Sequence, residues 1–237
     1  MRKLFAGAIA ASATLAIAAG AIAQAPEGTL EVTASPTKAG MKRNPRNMKV
    51  AFDLAVNKPG TTVETITLSL PAQIKLSGKG LGRCNFDDLN ASGPTGCPSK
   101  SKAGPVGEAH AVIGPGMTPV DFTVTPFVED SNTLLFYLNS TLGVQQAIRG
   151  EITSRGHKLT IDIPASLRKP GGLDASLTGI KQAFTGKVGA KYLVSSTGCK
   201  NRKWKFSGNL EFATDRVDGA PAPADLTTSA KVSCKRA

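Results

Sequence analysis

Apolar residues recur along this chain at every second position, the spacing that turns one face of a β-strand to a core and the other to water. Met48, Val50, Phe52, Leu54 and Val56 alternate with polar or small residues. Ile66, Leu68 and Leu70 do so up to Pro71, Val120, Phe122 and Val124 up to Pro126, and Leu159, Ile161 and Ile163 up to Pro164. Proline offers no N–H to a ladder, so each one predicts a strand end. TLLFYLN (133–139) is apolar at both parities and predicts a central strand. Near the end, Trp204, Phe206, Leu210 and Phe212 share one parity, with Gly208-Asn209 as a candidate hairpin turn, and Val232 and Cys234 follow in the same style. One segment is ambiguous. Leu173, Leu177, Ile180 and Phe184 fit a helical face, but Thr178-Gly179 interrupts it, so a strand is expected there.

NKPGTT, GPGMTP, VEDSN, SRGH, RKPGG and VDGAPAPAD punctuate these runs as turns. Roughly 10–13 short strands spaced in this way predict an all-β fold, an antiparallel sandwich or barrel, of which the β-sandwich is the expectation. No repeat or linker divides the chain, so residues 24–237 read as a single domain. The alternative is two halves divided near 114–119, a stretch that a hairpin explains equally well.

The first residues read as a secretory signal, residues 1–23. Arg2 and Lys3 supply the positive start, Leu4 to Ala19 is apolar, and Ala21-Ile22-Ala23 is an A-x-A cleavage site, which places the mature start at Gln24. An uncleaved anchor is the competing reading. No later segment is apolar for the 18 or so residues that a membrane helix needs. The expectation is a secreted, periplasmic or cell-envelope protein with no transmembrane segment after cleavage. Removing Arg2 and Lys3 lowers the net charge from +12 to +10.

All four cysteines, Cys84, Cys97, Cys199 and Cys234, lie beyond the cleavage site. An even number in an exported chain predicts two disulfides. Of the three possible connectivities, Cys84–Cys97 and Cys199–Cys234 keep each bridge local, and each would contribute roughly 3–4 kcal/mol. Zinc is the competing use, but there is no C-x-x-C and neither histidine is near a cysteine in sequence.

The stretch CNFDDLNASGPTGCPSKSKAG (84–104) concentrates these questions. Asn85 can cap a short helix, Asp88 stands in the reciprocal capping position, Phe86 and Leu89 share a face, and Gly93-Pro94 ends it. A Cys84–Cys97 bridge would clamp a helix too short to persist alone. Two sharper readings compete. Asp88-x-Asn90-x-Ser92-Gly93 matches the first half of a calcium loop, but Cys97 and Ser99 stand where later ligands belong. Ser99-x-x-Lys102 matches a serine acyl-transferase motif at two residues only. The Leu-Pro strand end, Cys84, the short helix and Cys97-Pro98, with Tyr192, Cys199, Trp204 and Cys234 in the tail, resemble a group of uncharacterised exported bacterial β-rich proteins. The resemblance implies export, disulfides and a β fold, and no activity, cofactor or site residue.

Catalytic chemistry has no clear carrier. His110 sits in a predicted strand and His157 in a turn, and no G-x-S-x-G, H-E-x-x-H or phosphate-binding loop occurs. No catalytic residue, cofactor or metal set is assigned. Two basic clusters remain: Lys38, Lys42, Arg43, Arg46 and Lys49, and Lys200, Arg202, Lys203 and Lys205. In a strand, Lys203 and Lys205 face away from Trp204 and Phe206, which makes Trp204 a core residue beside Cys199. The lysines then form either a solvated face or a patch for an anionic cell-surface polymer or lipid headgroups. No specific nucleic-acid recognition is predicted, and the oligomeric state is open. The expectation is a non-catalytic, exported, disulfide-stabilised β protein that binds such polymers. A secreted hydrolase with an unmarked carboxylate site and a structural envelope component are the alternatives.

Overall fold

The computed structural model describes residues 27–57 and 62–237. The expected signal, residues 1–23, lies outside them, as does most of the expected NKPGTT turn. The chain opens with β1 (Gly28–Ser35), β2 (Arg46–Val56), β3 (Val63–Ser69) and β4 (Ile74–Leu76). Helix α1 (Phe86–Ser92) precedes β5 (Gly107–Ile113), β6 (Thr118–Val128), β7 (Thr133–Ser140), β8 (Gln145–Thr153) and β9 (Lys158–Asp162). Helix α2 (Ala165–Arg168) leads into β10 (Ala175–Phe184), β11 (Lys187–Val188), β12 (Lys191–Tyr192) and β13 (Val194–Ser196). The chain closes with β14 (Lys203–Phe212) and β15 (Leu226–Ser233).

The fold is all-β, as the alternation requires. Eleven strands have five or more residues, and four pieces of two or three residues bring the total among the described residues to fifteen. The ambiguous segment is a strand, β10, with a bulge between Leu177 and Gly179. GPGMTP is the turn of the β5–β6 hairpin. One expectation is corrected. Gly208-Asn209 is no turn but the middle of β14, where Gly208 pairs with Leu68 on one side and Thr228 on the other. Gly208 faces inward, and a side chain there would meet Thr228 Oγ1 at 3.3 Å.

The long strands hydrogen-bond in the order β15-β14-β3-β9-β8-β7-β6-β5-β10-β2, with β1 on the other edge of β2. This path curls until β1 lies alongside β15. Antiparallel pairing alternates direction, so after eleven strands the two end strands run the same way. Just beyond them Lys38 and Lys235 form a parallel bridge. Ala39 N–H donates to Lys235 O and Lys235 N–H donates to Thr37 O, each at 2.9 Å. The strands thus form one rolled sheet, nearer the barrel than the two packed layers of the expected sandwich. Successive hairpins from β5 to β9 each pair with the next, and β3, β10 and β2 extend the ladder, so no break divides it.

Inward residues fill the roll. Phe52 lies 6.0 Å from Phe184 and 5.8 Å from Phe206, and Phe136 lies 6.3 Å from Phe184, all edge to face. They join β2, β10, β7 and β14 across the interior, the arrangement that ring quadrupoles favour. Trp204, fully buried, donates its indole N–H to Gly198 O at 2.9 Å.

A second, smaller core lies outside the wall. Leu89 of α1 packs with Cys84, Phe127, Leu135, Tyr137 and Ala147. This explains why TLLFYLN is apolar at both parities: Leu134 and Phe136 face the interior, while Leu135 and Tyr137 face α1. Asn85 caps α1 by accepting the Asp87 N–H at 2.7 Å. Both disulfides form in the local pairing, Cys84–Cys97 and Cys199–Cys234.

Trp204→Ala should lower the unfolding free energy by about 3–5 kcal/mol in a urea titration, the cost of removing a fully buried large aromatic. Lys203→Gln, one residue earlier and outward, should stay within about 0.5 kcal/mol. Similar losses at both positions would contradict the register of β14.

Candidate functional site

The roll has two ends of opposite chemistry. One gathers the β1–β2 connection, the turn before β14 and the end of β15. The Cys199–Cys234 bridge ties that turn to the end of β15, and Cys234 N–H donates to Arg202 O at 2.9 Å. Lys200, Lys203 and Lys205 line one shallow concavity together with Lys231, and Arg202 and Lys203 line another with Lys235 and Arg236. Lys38 and Arg46 line a third. Lys42 and Arg43 sit at the tip of the β1–β2 connection, and exposed Lys49 lies on β2 opposite Ser35; these three line none of the three concavities. Lys205 and Lys231 are direct cross-strand partners, an arrangement of like charges that weakens a sheet. None of these basic residues has an acidic partner within 4 Å among the described residues. Lys231, Lys235 and Arg236 escaped the sequence reading because they are distant in the chain and reach the cluster only through strand pairing.

The other end holds an apolar cavity of about 120 Å³. Phe52, Phe136 and Phe184 belong to its wall, with Ile66, Val124 and Ile148 beside them. Ala111, Phe122, Leu138, Ile163, Leu167 and Leu177 also line it and are half-buried, which gives it an apolar rim at the surface. The lining contains no Asp or Glu, so the cavity offers no carboxylate pair for hydrolysis. Its two polar members are Gln182 and Arg168. Gln182, only 5% exposed, donates its Nε2 to Pro105 O at 3.2 Å and to Ala183 O at 3.0 Å, while its Oε1 has no hydrogen-bond partner.

Arg168 ends α2, the single turn that bridges β9 to β10 over the mouth. Its Nε donates to Ile163 O at 3.0 Å, and its guanidinium pairs with Asp215 and approaches Glu64 at 3.6 Å. Lys169 Nζ lies 2.8 Å from the other Asp215 oxygen. Asp174 accepts the Val217 N–H at 2.9 Å, holding the β14–β15 connection against the same end. These contacts latch α2 across the mouth.

The remaining candidates are absorbed by structure. Asp88, Asn90 and Ser92 lie on helix α1, not on a ligand loop, and Asn90 Oδ1 accepts the Ala147 N–H at 2.8 Å, docking α1 on β8. Ser99 belongs to a 3₁₀ turn, Ser99–Ser101, and Lys102 bridges Phe127. His110 meets Asp121 at 2.7 Å on an exposed face, and His157 Nδ1 donates to Ile74 O at 2.7 Å.

The Lys169 ammonium, and after it the Arg168 guanidinium, hold the Asp215 carboxyl below its ordinary value of 3.8. A lowered folded-state value means stabilisation that is complete above the ordinary Asp range and lost as pH falls through the lower one. Asp215→Asn should therefore lower the melting temperature at pH 6, and the gap to the wild type should close as the pH falls below the ordinary Asp value and through the lowered one. A gap that persists unchanged in acid would show that these ion pairs do not latch α2.

Comparison with known protein families, with curated proteins and with solved structures returned no match, so the geometry above is what carries the functional reading.

Proposed function

We propose that this is an exported, non-catalytic binding protein that takes an apolar ligand into the cavity at the α2 end. One observation carries the reading: a cavity with aliphatic and aromatic walls that reaches the surface through an apolar rim. Apolar walls repay ligand burial and exclude water, and a few placed polar groups set orientation. Export rests on the N-terminal pattern of the sequence, and the two disulfides suit an oxidising compartment.

Benzene is a suitable probe, because an aliphatic cavity of about 150 Å³ binds it. At ten times its Kd it should stabilise the protein by about 1.4 kcal/mol, a rise in melting temperature of about 3–6 °C. Ala111→Trp, placed on the rim, should abolish the rise. No shift in the wild type, or a full shift in the variant, would refute the reading.

A second reading has its own observation, the convergence of Lys200, Arg202, Lys203 and Lys205 with Lys231, Lys235 and Arg236 at the opposite end, where Lys38 bridges Lys235. That end would hold an anionic cell-surface polymer or lipid headgroups by charge. Binding to anionic vesicles should be strong at 0.1 M salt and lost at 1 M, where the Debye length is about 3 Å. Lys203→Gln with Lys205→Gln should weaken it at low salt. Binding indifferent to both changes would remove the charge-based reading.

A further inference from the structure

Gln182 points to the kind of ligand, an inference that rests on the cavity reading above. The residue sits opposite Phe52 in the ladder and shares its inward parity with Ile180 and Phe184. Its amide orientation is set by its neighbours. Pro105 O and Ala183 O are carbonyl oxygens and can only accept, so the nitrogen must be the atom that faces them. The oxygen is thereby left over. Gly107 leaves room for it, since a Cβ there would stand 2.5 Å from Oε1. A buried carbonyl oxygen without a donor is costly, and folded proteins keep few of them. Thr62 Oγ1 is the other such side-chain atom among the described residues, and it is not part of the cavity lining.

We infer that Gln182 Oε1 accepts a hydrogen bond from a ligand hydroxyl, and that the cavity is built for a neutral aliphatic alcohol entering hydroxyl first. The other ligand classes each fail on one count. A hydrocarbon or an ether brings no donor. A carboxylate brings only acceptors to an acceptor, and the one cation in the lining, Arg168, is already paired with Asp215 and Glu64. An ammonium would be stripped of water beside walls that hold no carboxylate. A hydroxyl supplies the missing donor at no cost in charge, and its chain covers the apolar walls out to the rim. A space of this volume, a little below that known to take benzene, suits a body of about six carbons.

1-Hexanol and methyl pentyl ether test this directly, because they are isomers that differ in the donor. Calorimetric titration of the full chain should show 1-hexanol binding on the order of tenfold more tightly than the ether, since a site that expects a hydroxyl is left with an unpaired group without it. Hexanoate at pH 8 should bind more weakly than 1-hexanol by at least about the same factor. In Gln182→Leu the alcohol should lose its advantage while the ether keeps its affinity. Should that variant fail to fold, the three ligands on the wild-type protein still decide. Equal affinity for alcohol and ether overturns the role of Gln182 while leaving the apolar cavity standing. An alcohol preference that survives in Gln182→Leu, or hexanoate binding as tightly as 1-hexanol, overturns it too. Silence from all three ligands and from benzene overturns the cavity reading itself.

Discussion

The number of strands in the wall constrains almost everything else in this protein. Side chains just fill the interior of a barrel of about eight strands, and wider barrels leave space. Here the wall has eleven long strands, from β15 to β1, and it closes where those two run side by side. Closure protects the exposed edges that an open sheet of this length would present. It also creates more interior than aliphatic residues can fill. Phe52, Phe136, Phe184 and Phe206 meet across the middle and fill part of the excess. On the side of the basic end Trp204, Met48 and Leu76 complete a solid core. On the other side the filling stops at the phenylalanine rings, and the cavity is what remains.

The disulfides act at the places where the ladder cannot. Cys84–Cys97 closes a loop around helix α1, which is too short to be stable by itself, within the long connection between β4 and β5, and Leu89 and Asn90 dock that helix on the outer face of β7 and β8. The helix then covers an apolar patch that would otherwise face water. Cys199–Cys234 ties the turn before β14 to the end of β15, next to the seam where the wall closes through only a short parallel bridge. Each bridge thus ties together segments that lie outside the strands, one within the β4–β5 connection and one between the turn before β14 and the residue that follows β15.

The two ends of the roll suit different contacts. One concentrates cations that have no ion-pair partner among the described residues, including Lys205 and Lys231 facing each other across a ladder, a cost to the sheet. The other pairs its charges, Arg168 and Lys169 with Asp215, around an apolar opening. Paired charges beside a greasy rim hold the mouth in shape without attracting counter-ions into it.

Strand positions, the all-β class and the inward parity of Trp204 followed from the amino-acid order alone, because alternation is local and a single residue's shift would expose the whole apolar face. The two disulfide pairings and the Asn85 cap were legible for the same reason, since both act over short separations. The Gly208-Asn209 turn was misjudged because a glycine in a strand looks the same whether it bends the chain or makes room for a neighbour. Whether the strands make two layers or one roll depends on which edges meet, and β1 and β15 are nearly two hundred residues apart in the chain. The cavity was invisible for a deeper reason: its lining residues are ordinary core residues, and only the width of the closed wall decides that they surround a space. Gln182 likewise reads as one polar residue in a strand until tertiary structure turns it inward, occupies its nitrogen and leaves its oxygen without a donor.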